Sequence, residues 1–176
     1  METTGSKTHY PTVGWDLNSA EFLDLQKNAM EVGASIHVIS NLLIDYDGMV
    51  VGEQDKYDFA KIKADEPKEK FKNIILLNYP EGEGSFKKAI KWTIANNLCM
   101  TDEFVLSSIG KYKPKLRSEL GLNSLVYIIG TKGVVIGKEK QAYCLIYNDN
   151  VIRLIISAKN VFGNHPEHYF ALEKKD

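Results

Sequence analysis

Cysteine is scarce in this sequence, which has only Cys99 and Cys144 among its 176 residues. Two distant cysteines cannot form the disulfide framework of a small secreted domain. The apolar runs are also short, since the longest extend over about six to eight residues and a membrane-spanning helix needs roughly 20. The chain shows no signal-peptide pattern and no lipidation motif. We therefore expect a cytoplasmic protein that is not attached to a membrane.

Arginine and an excess of positive charge are missing too. The sequence has 22 Lys and Arg against 23 Asp and Glu, a net charge of −1, and its arginines are Arg117 and Arg153. Proteins that bind duplex nucleic acid usually have a basic surface, because phosphate contacts supply most of their affinity. Arginine is the preferred residue for bidentate contacts with phosphate or guanine. The composition therefore gives no indication of a dedicated nucleic-acid-binding protein.

The residues that are present in quantity are typical of a folded globular protein. Apolar residues make up 44% of the chain and charged residues 26%, both close to the average for such proteins. The length corresponds to one domain. Residues 1–17 show no hydrophobic periodicity, so we expect an irregular N-terminal segment there. Residues 18–176 are expected to form a single α+β domain.

The first half of this domain predicts a helix, a hairpin and a strand. Asn18 is a good N-cap and Gly33 a good terminator, so we expect a helix between them. Asp47-Gly48 lies between two apolar, β-branched runs, which is a strong signal for a β-hairpin. The apolar run over residues 71–79 predicts a buried strand.

Helices and then strands are predicted for the second half. Ser85 caps a second helix, and Trp92 lies off its apolar stripe. That stripe consists of Phe86, Ala89, Ile90, Thr93, Ile94 and Leu98. Shorter helical segments are predicted over 101–109 and 114–120. The apolar runs that predict an antiparallel β-meander lie at 125–129, 133–136, 142–147 and 151–157, with a further strand at 168–172.

The fold class that follows from this order is α+β. The elements do not alternate as strand, helix, strand, so a parallel sheet is not expected. We predict a mainly antiparallel sheet, made of the C-terminal β-meander and the N-terminal hairpin. The helices are expected to pack on one face of this sheet.

Two local patterns have some of the residues that phosphate or metal chemistry requires. Residues 82–88 join a strand to a helix, as phosphate-binding loops do, but they match neither the P-loop nor the dinucleotide-binding motif. Asp45 and Asp47, with Glu53 nearby, could hold Mg²⁺ and a substrate phosphate. Their spacing differs from that of nuclease carboxylates. We expect a plain loop at the first place and a solvated hairpin tip at the second.

Histidine and cysteine give no complete metal or nucleophile motif. His165 and His168 are two potential ligands, whereas zinc needs three or four. Cys99 precedes a predicted helix start, where a thiol can be activated, but no partner histidine is close in sequence. Cys144 lies in an apolar strand pattern and is expected to be a buried, inert thiol. We therefore predict no metal and no cofactor.

One dispersed set of residues offers a catalytic alternative. Glu139, Arg153 and His168 follow one another at intervals of 14 and 15 residues across the predicted meander. In this C-terminal part the chain resembles small bacterial ribonucleases of the barnase type. The resemblance implies a metal-independent endoribonuclease in which Glu139 is the base and Arg153 stabilises the phosphate. His168 would then protonate the leaving group.

Our main expectation is a non-enzymatic binding or regulatory module with a protein partner, such as an immunity, inhibitor or accessory protein. Binding hot spots are enriched in aromatic residues. The candidates for this surface are Trp15, Trp92, Tyr112, Tyr169 and Phe170. A second alternative is a small molecule or nucleotide held between the meander and the helices. Nucleic acid is an expected partner only under the ribonuclease alternative.

Overall fold

The computed structural model describes residues 20–45, 69–122, 126–130, 135–136, 139–148, 151–158 and 165–174. The helices in these segments are α1 (Ala20–Glu31), α2 (Phe86–Ala95), α3 (Glu103–Tyr112) and α4 (Leu116–Glu119). The strands are β1 (Ser35–Asp45), β2 (Glu69–Asn78), β3 (Leu98–Met100), β4 (Val126–Gly130), β5 (Val135–Ile136), β6 (Glu139–Asn148), β7 (Val151–Ala158) and β8 (His168–Lys174). Within the described residues the predicted helices and strands recur with shifted ends, except that Leu98 belongs to β3 and not to a helix. The second strand of the predicted hairpin lies outside them.

The C-terminal strand lies in the middle of the sheet. The strand order is β1-β2-β8-β4-β6, with β3 paired to β8 and both β5 and β7 paired to β6. Neighbouring strands run antiparallel, except β4 and β8, which are parallel. Residues 169–172 of β8 are all buried. A continuous buried run of this kind is typical of a strand that is covered on both faces.

Helices cover both faces of the sheet. Successive side chains of a strand point to opposite faces. Leu77 and Phe170 pack with residues of α1 and α2, on what we call the α1/α2 face. Leu76 and Ala171 pack with residues of α3 and α4, on the α3/α4 face. The α+β class with a mostly antiparallel sheet is confirmed, whereas the prediction that the helices lie on one face is not.

Strand β1 pairs with β2, from Ser35 opposite Asn78 to Asp45 opposite Glu69. The predicted hairpin at Asp47-Gly48 lies outside the described residues and is not confirmed. Of the strands that the structure describes, β2 is the only partner of β1. Within this part of the chain, β1 is therefore the outermost strand on its side of the sheet.

A β-bulge interrupts β1 near its middle. The register shifts between Ile39, which lies opposite Ile74, and Leu42, which lies opposite Lys72. Asn41 has a φ of 54°, and its N–H donates to Oδ1 of Asn73 at 2.7 Å. Bulges twist a strand and limit the length over which another strand can pair with it. The regular part of β1 before the bulge is residues 35–39.

Helix α1 ends in the way that its glycine predicts. Gly33 has a φ of 75°. The N–H of Ala34 donates to the carbonyl of Ala29 at 2.9 Å, and that of Gly33 donates to the carbonyl of Met30 at 3.1 Å. This pair of bonds is the Schellman motif, which satisfies carbonyl groups that the end of a helix leaves open. The chain is thereby turned from α1 directly into β1.

The buried face of α2 differs from the predicted stripe, because it includes Trp92. This residue is 6% exposed and packs with Phe86 and Ala89, whereas Ile94 is 69% exposed. The prediction that Trp92 lies off the stripe and Ile94 on it is therefore wrong. The helical period is compatible with a buried stripe that includes Ile94 and with one that includes Trp92. Only the contacts of α2 with the sheet decide between the two. Among the helices of the described segments, none is long and apolar enough to cross a membrane.

Strands β3 and β4 meet end to end along the same edge of β8. Strand β4 pairs with residues 168–170 and β3 with residues 172–174, while β2 occupies the opposite edge. At the junction, a Cβ atom on Gly130 would lie 2.6 Å from Oγ1 and 3.0 Å from the carbonyl oxygen of Thr101. Real Cβ atoms do not approach other atoms as closely as the first distance, so any larger residue at position 130 would force Thr101 to shift.

Candidate functional site

The four aromatic residues of the predicted surface that the structure describes do not assemble into one. Trp92, Tyr169 and Phe170 are buried in the core, with Tyr169 on the α3/α4 face and the other two on the α1/α2 face. Trp15 lies outside the described residues. Tyr112, at the end of α3, is 39% exposed. Of the proposed aromatic surface, the described part of the chain therefore retains Tyr112.

The sheet register separates the three residues of the ribonuclease alternative. His168, Tyr127, Ile146 and Arg153 lie opposite one another in a row across β8, β4, β6 and β7. Three strand spacings place the backbones of His168 and Arg153 roughly 14 Å apart. Glu139 lies seven residues along β6 from Ile146, roughly 23 Å away. The register does not bring the three together at one phosphate and gives no support to this mechanism.

The ring of His168 is buried and lies against two tilted rings, of which that of His165 is exposed. Its ring centroid lies 4.9 Å from that of Tyr127 and 5.2 Å from that of His165. Burial, and secondly the charge of His165, lower the pKa of His168 to about 4. The imidazole is therefore neutral near pH 7. Its surroundings are those of a packing residue.

The described segments contain no group of three His, Cys, Asp or Glu residues placed to hold a metal ion. The pair His165 and His168 therefore has no third ligand in this part of the chain. Asp45 is the last residue of β1. Asp47 and Glu53 lie outside the described residues. The absence of a metal site remains a prediction for the whole chain.

The loop over residues 82–88 uses its polar groups to begin α2. The hydroxyl of Ser85 accepts a hydrogen bond from the N–H of Lys88 at 3.0 Å, as the N-cap prediction requires. The Nζ of Lys88 donates to the carbonyl of Glu83 at 2.8 Å. Ser85 and Lys88, two of the side chains that could contact a phosphate, thus each make a hydrogen bond within the loop. This arrangement is that of a plain strand-to-helix connection.

The two cysteines lie in strands of the sheet. Cys144 is fully buried, and burial raises the pKa of its thiol far above the usual value. The prediction of a buried thiol is confirmed, and a thiol with such a pKa stays protonated and unreactive. Cys99 is half-buried in β3, opposite Glu173 of β8.

A groove of about 450 Å³ lies beside β1 on the α3/α4 face, and we call it the β1 groove. One wall consists of the consecutive residues 37–40 of β1, and Leu76 of β2 lies at the base. The other wall is the corner between α3 and α4. It contributes Lys113, Leu116, Glu119 and Leu120. The groove therefore follows the regular part of β1 up to the bulge.

The β1 groove is apolar at its base and charged at its rim. Leu76 and Leu116 are buried. At the rim, Nζ of Lys113 lies 2.9 Å from Oε1 of Glu119; the side chain of Glu119 is exposed and that of Lys113 is partly exposed. An exposed ion pair of this kind contributes little to stability. It does place a donor and an acceptor of opposite charge beside the strand.

Tyr147 of β6 fixes the corner that forms the second wall. Its hydroxyl donates to the carbonyl of Lys113 at 2.7 Å and lies 3.3 Å from the carbonyl of Ile109. Burial, and secondly the charge of Glu119, raise the pKa of Tyr147. The hydroxyl therefore stays protonated and remains a donor. It closes the last turn of α3, where carbonyl groups would otherwise lack partners.

His37 is the titratable residue of the β1 wall. Its ring is exposed on the groove side, and its centroid lies 5.8 Å from that of Tyr169. Partial burial lowers the pKa of His37. A neutral imidazole has one donor and one acceptor, so it can bond to either kind of polar group.

Sequence reasoning missed the β1 groove because its walls are far apart in the chain. His37 and Lys113 are separated by 76 positions, and their meeting depends on how α3 packs on the sheet. The one local signal is His37 itself, a polar residue within the apolar run of β1. The groove lies between β1–β2 and α3–α4, not between the meander and the helices as the small-molecule alternative expected. No protein-family model, curated protein or solved structure matches the chain.

Proposed function

We propose that the protein is a non-enzymatic binding module that takes an extended segment of a partner protein along β1, in the β1 groove. The observation that carries this proposal is the position of the groove. It follows the outermost described strand of the sheet and is bordered on its far side by a helical corner. Extended peptides are commonly bound between a sheet edge and a helix, by addition of a strand.

The main chain of β1 sets the length of the segment. An outermost strand directs N–H and C=O groups away from the sheet, and an added strand satisfies them. Residues 35–39 are regular, and the bulge around Asn41 ends that regularity. Five residues of strand span about 17 Å. The partner therefore contributes an extended segment of about five residues.

The lining of the groove sets the side chains that the segment presents. Alternate residues of an added strand point to the same face. On the α3/α4 face they lie beside His37 and Ile39 of β1 and point into the groove that Leu116 and the Lys113–Glu119 pair line. An apolar residue, followed two positions later by a polar one, matches this order. His37 can bond to the polar residue as donor or acceptor.

The test selects peptides from a random library displayed on phage against the purified protein, and then measures their affinity by fluorescence polarisation. Leu120→Lys places a charge on the groove wall, and His37→Glu changes its polar contact. We expect each to weaken binding by roughly tenfold or more, the effect of one lost contact at a groove of this size. Lys87→Glu, an exposed position on α2, is the matched control.

The outcomes separate the proposal from its alternatives. Selected peptides whose affinity falls with the two groove variants and not with the control support it. If the affinity of the selected peptides is the same for both groove variants as for the unsubstituted protein, the proposal is overturned. A protein that forms dimers by light scattering, with the dimer lost in Leu120→Lys, would assign the groove to a second copy of this chain and also overturn it.

A further inference from the structure

A second cavity, of about 410 Å³, lies on the α1/α2 face, on the opposite side of the sheet from the β1 groove. Its lining residues are Val32, Tyr79, Lys88, Lys91, Trp92 and Ala95. Four of these belong to α2, at spacings of three and four residues, and so form one face of that helix. We call this cavity the α2 pocket. Its volume is in the range of sites for small molecules.

The α2 pocket combines an aromatic base with a cationic mouth. Trp92 and Tyr79 are buried, whereas Lys88 and Lys91 lie at the surface. Lys88 is held in place by the carbonyl of Glu83, which uses one of its three N–H donors. Neither Asp nor Glu is among the described residues that line the pocket. The pocket is therefore complementary to a molecule with an apolar body and one negative charge.

Trp92 adds a separate observation. Its indole Nε1 is buried and has no hydrogen-bond partner among the residues that the structure describes. Buried N–H groups almost always have a partner, and an unused one costs free energy. Because this N–H has almost no accessible surface, a ligand in the pocket contacts the apolar ring of Trp92 and not its donor.

From this geometry we infer that the α2 pocket binds a small apolar carboxylate. The apolar part packs on Trp92 and Val32, and the carboxylate accepts hydrogen bonds from the ammonium groups of Lys88 and Lys91. A carboxylate provides two acceptor oxygens, one for each lysine, and an apolar body matches the aromatic base of the pocket. This site goes beyond the proposed peptide binding and does not depend on it.

The test uses the tryptophan in the pocket as its reporter. The sequence has two tryptophans, so Trp15→Phe leaves Trp92 as the only one. Phenylbutyrate is titrated into this variant, and the emission of Trp92 is followed up to about 10 mM ligand, where even millimolar binding saturates. Phenylbutyramide, its neutral isostere, is titrated in parallel. A thermal-shift measurement on the unsubstituted protein checks that binding stabilises the fold.

Three variants make the result specific. Lys91→Gln removes one charge at the mouth, and Ala95→Leu fills the pocket with a side chain that helices tolerate. Lys87→Gln, on the same helix but outside the lining, is the control. We expect saturable binding of the carboxylate, weaker by roughly tenfold for the amide and for Lys91→Gln, and abolished by Ala95→Leu. Absence of saturation, or equal affinity for acid and amide, would overturn the inference.

Discussion

The hydroxyl of Tyr147 donates to the carbonyl oxygen of Lys113 at 2.7 Å and thereby joins β6 to the end of α3. The N–H of Lys113 in turn donates to the carbonyl of Ile109 at 2.8 Å, so the last turn of α3 is closed from two sides. Leu116 and Glu119, the first and last residues of α4, follow shortly after Lys113 and line the groove beside β1. The width of the β1 groove therefore depends on a residue that lies two strands beyond the central β8.

Tyr147→Phe should lower the free energy of unfolding by about 1–2 kcal/mol, because it leaves a carbonyl at the end of α3 without its donor. Urea denaturation measures this loss. Tyr143→Phe is the matched control, since Tyr143 lies on the same strand and bonds to Glu103 at the other end of α3. Both variants lose stability, but only Tyr147→Phe should also weaken binding in the β1 groove. Equal weakening by both would contradict this role of Tyr147.

Gly130→Ala should destabilise the protein by roughly 1–3 kcal/mol, because the added methyl group collides with Thr101 at the junction of β3 and β4. Removing the hydroxyl with Thr101→Ala should restore part of that loss in the double variant. The remaining part comes from the Thr101 carbonyl, which stays 3.0 Å from the new Cβ. A double-mutant cycle by chemical denaturation checks this coupling. Purely additive losses would show that the two residues do not collide.

The stability should fall as the pH is lowered from about 6.5 to about 4, in part because of His168. Its pKa in the folded protein is about 4, below the usual 6.5. Between these values the unfolded chain binds more protons than the folded one, so acid favours unfolding. A shift of this size corresponds to roughly 3 kcal/mol. His37, whose pKa is also lowered, acts in the same direction.

The measurement is the free energy of unfolding as a function of pH for the unsubstituted protein and for His168→Gln. The variant should be less stable at pH 7, because it loses the ring that packs against Tyr127. It should also lose a clear share of the slope between pH 6.5 and 4. An unchanged slope would mean that His168 titrates normally in the folded state.

Much of the local structure could be predicted from the sequence, because it depends on neighbouring residues. Gly33 ends α1 with a positive φ, and Ser85 caps α2, as their types and positions indicate. Cys144 is buried, as its apolar strand predicts. These features arise from backbone conformation and from the alternation of side chains. They require no knowledge of the rest of the fold.

The errors concern contacts between distant parts of the chain. Strand β8 lies between β2 and β4 through pairing with distant residues, and no local turn signal predicts this position. Without the strand order, the helices could not be assigned to the two faces of the sheet. Trp92 is buried because the side of α2 that carries it faces the sheet. The helical period alone does not determine which side of the helix faces the sheet. The β1 groove likewise exists only where the α3–α4 corner meets β1. Its residues carry no motif that reveals this meeting.

The central claim is that a partner segment adds to β1 as a strand, and amide hydrogen exchange followed by NMR tests it most directly. In an antiparallel ladder alternate amides face the added strand, so a saturating selected peptide should slow exchange at alternate positions of residues 35–39 by roughly tenfold or more. Amides of β7, which pairs with β6 beyond the centre of the sheet, should keep their rates. Unchanged exchange in residues 35–39 with the peptide bound would contradict the claim.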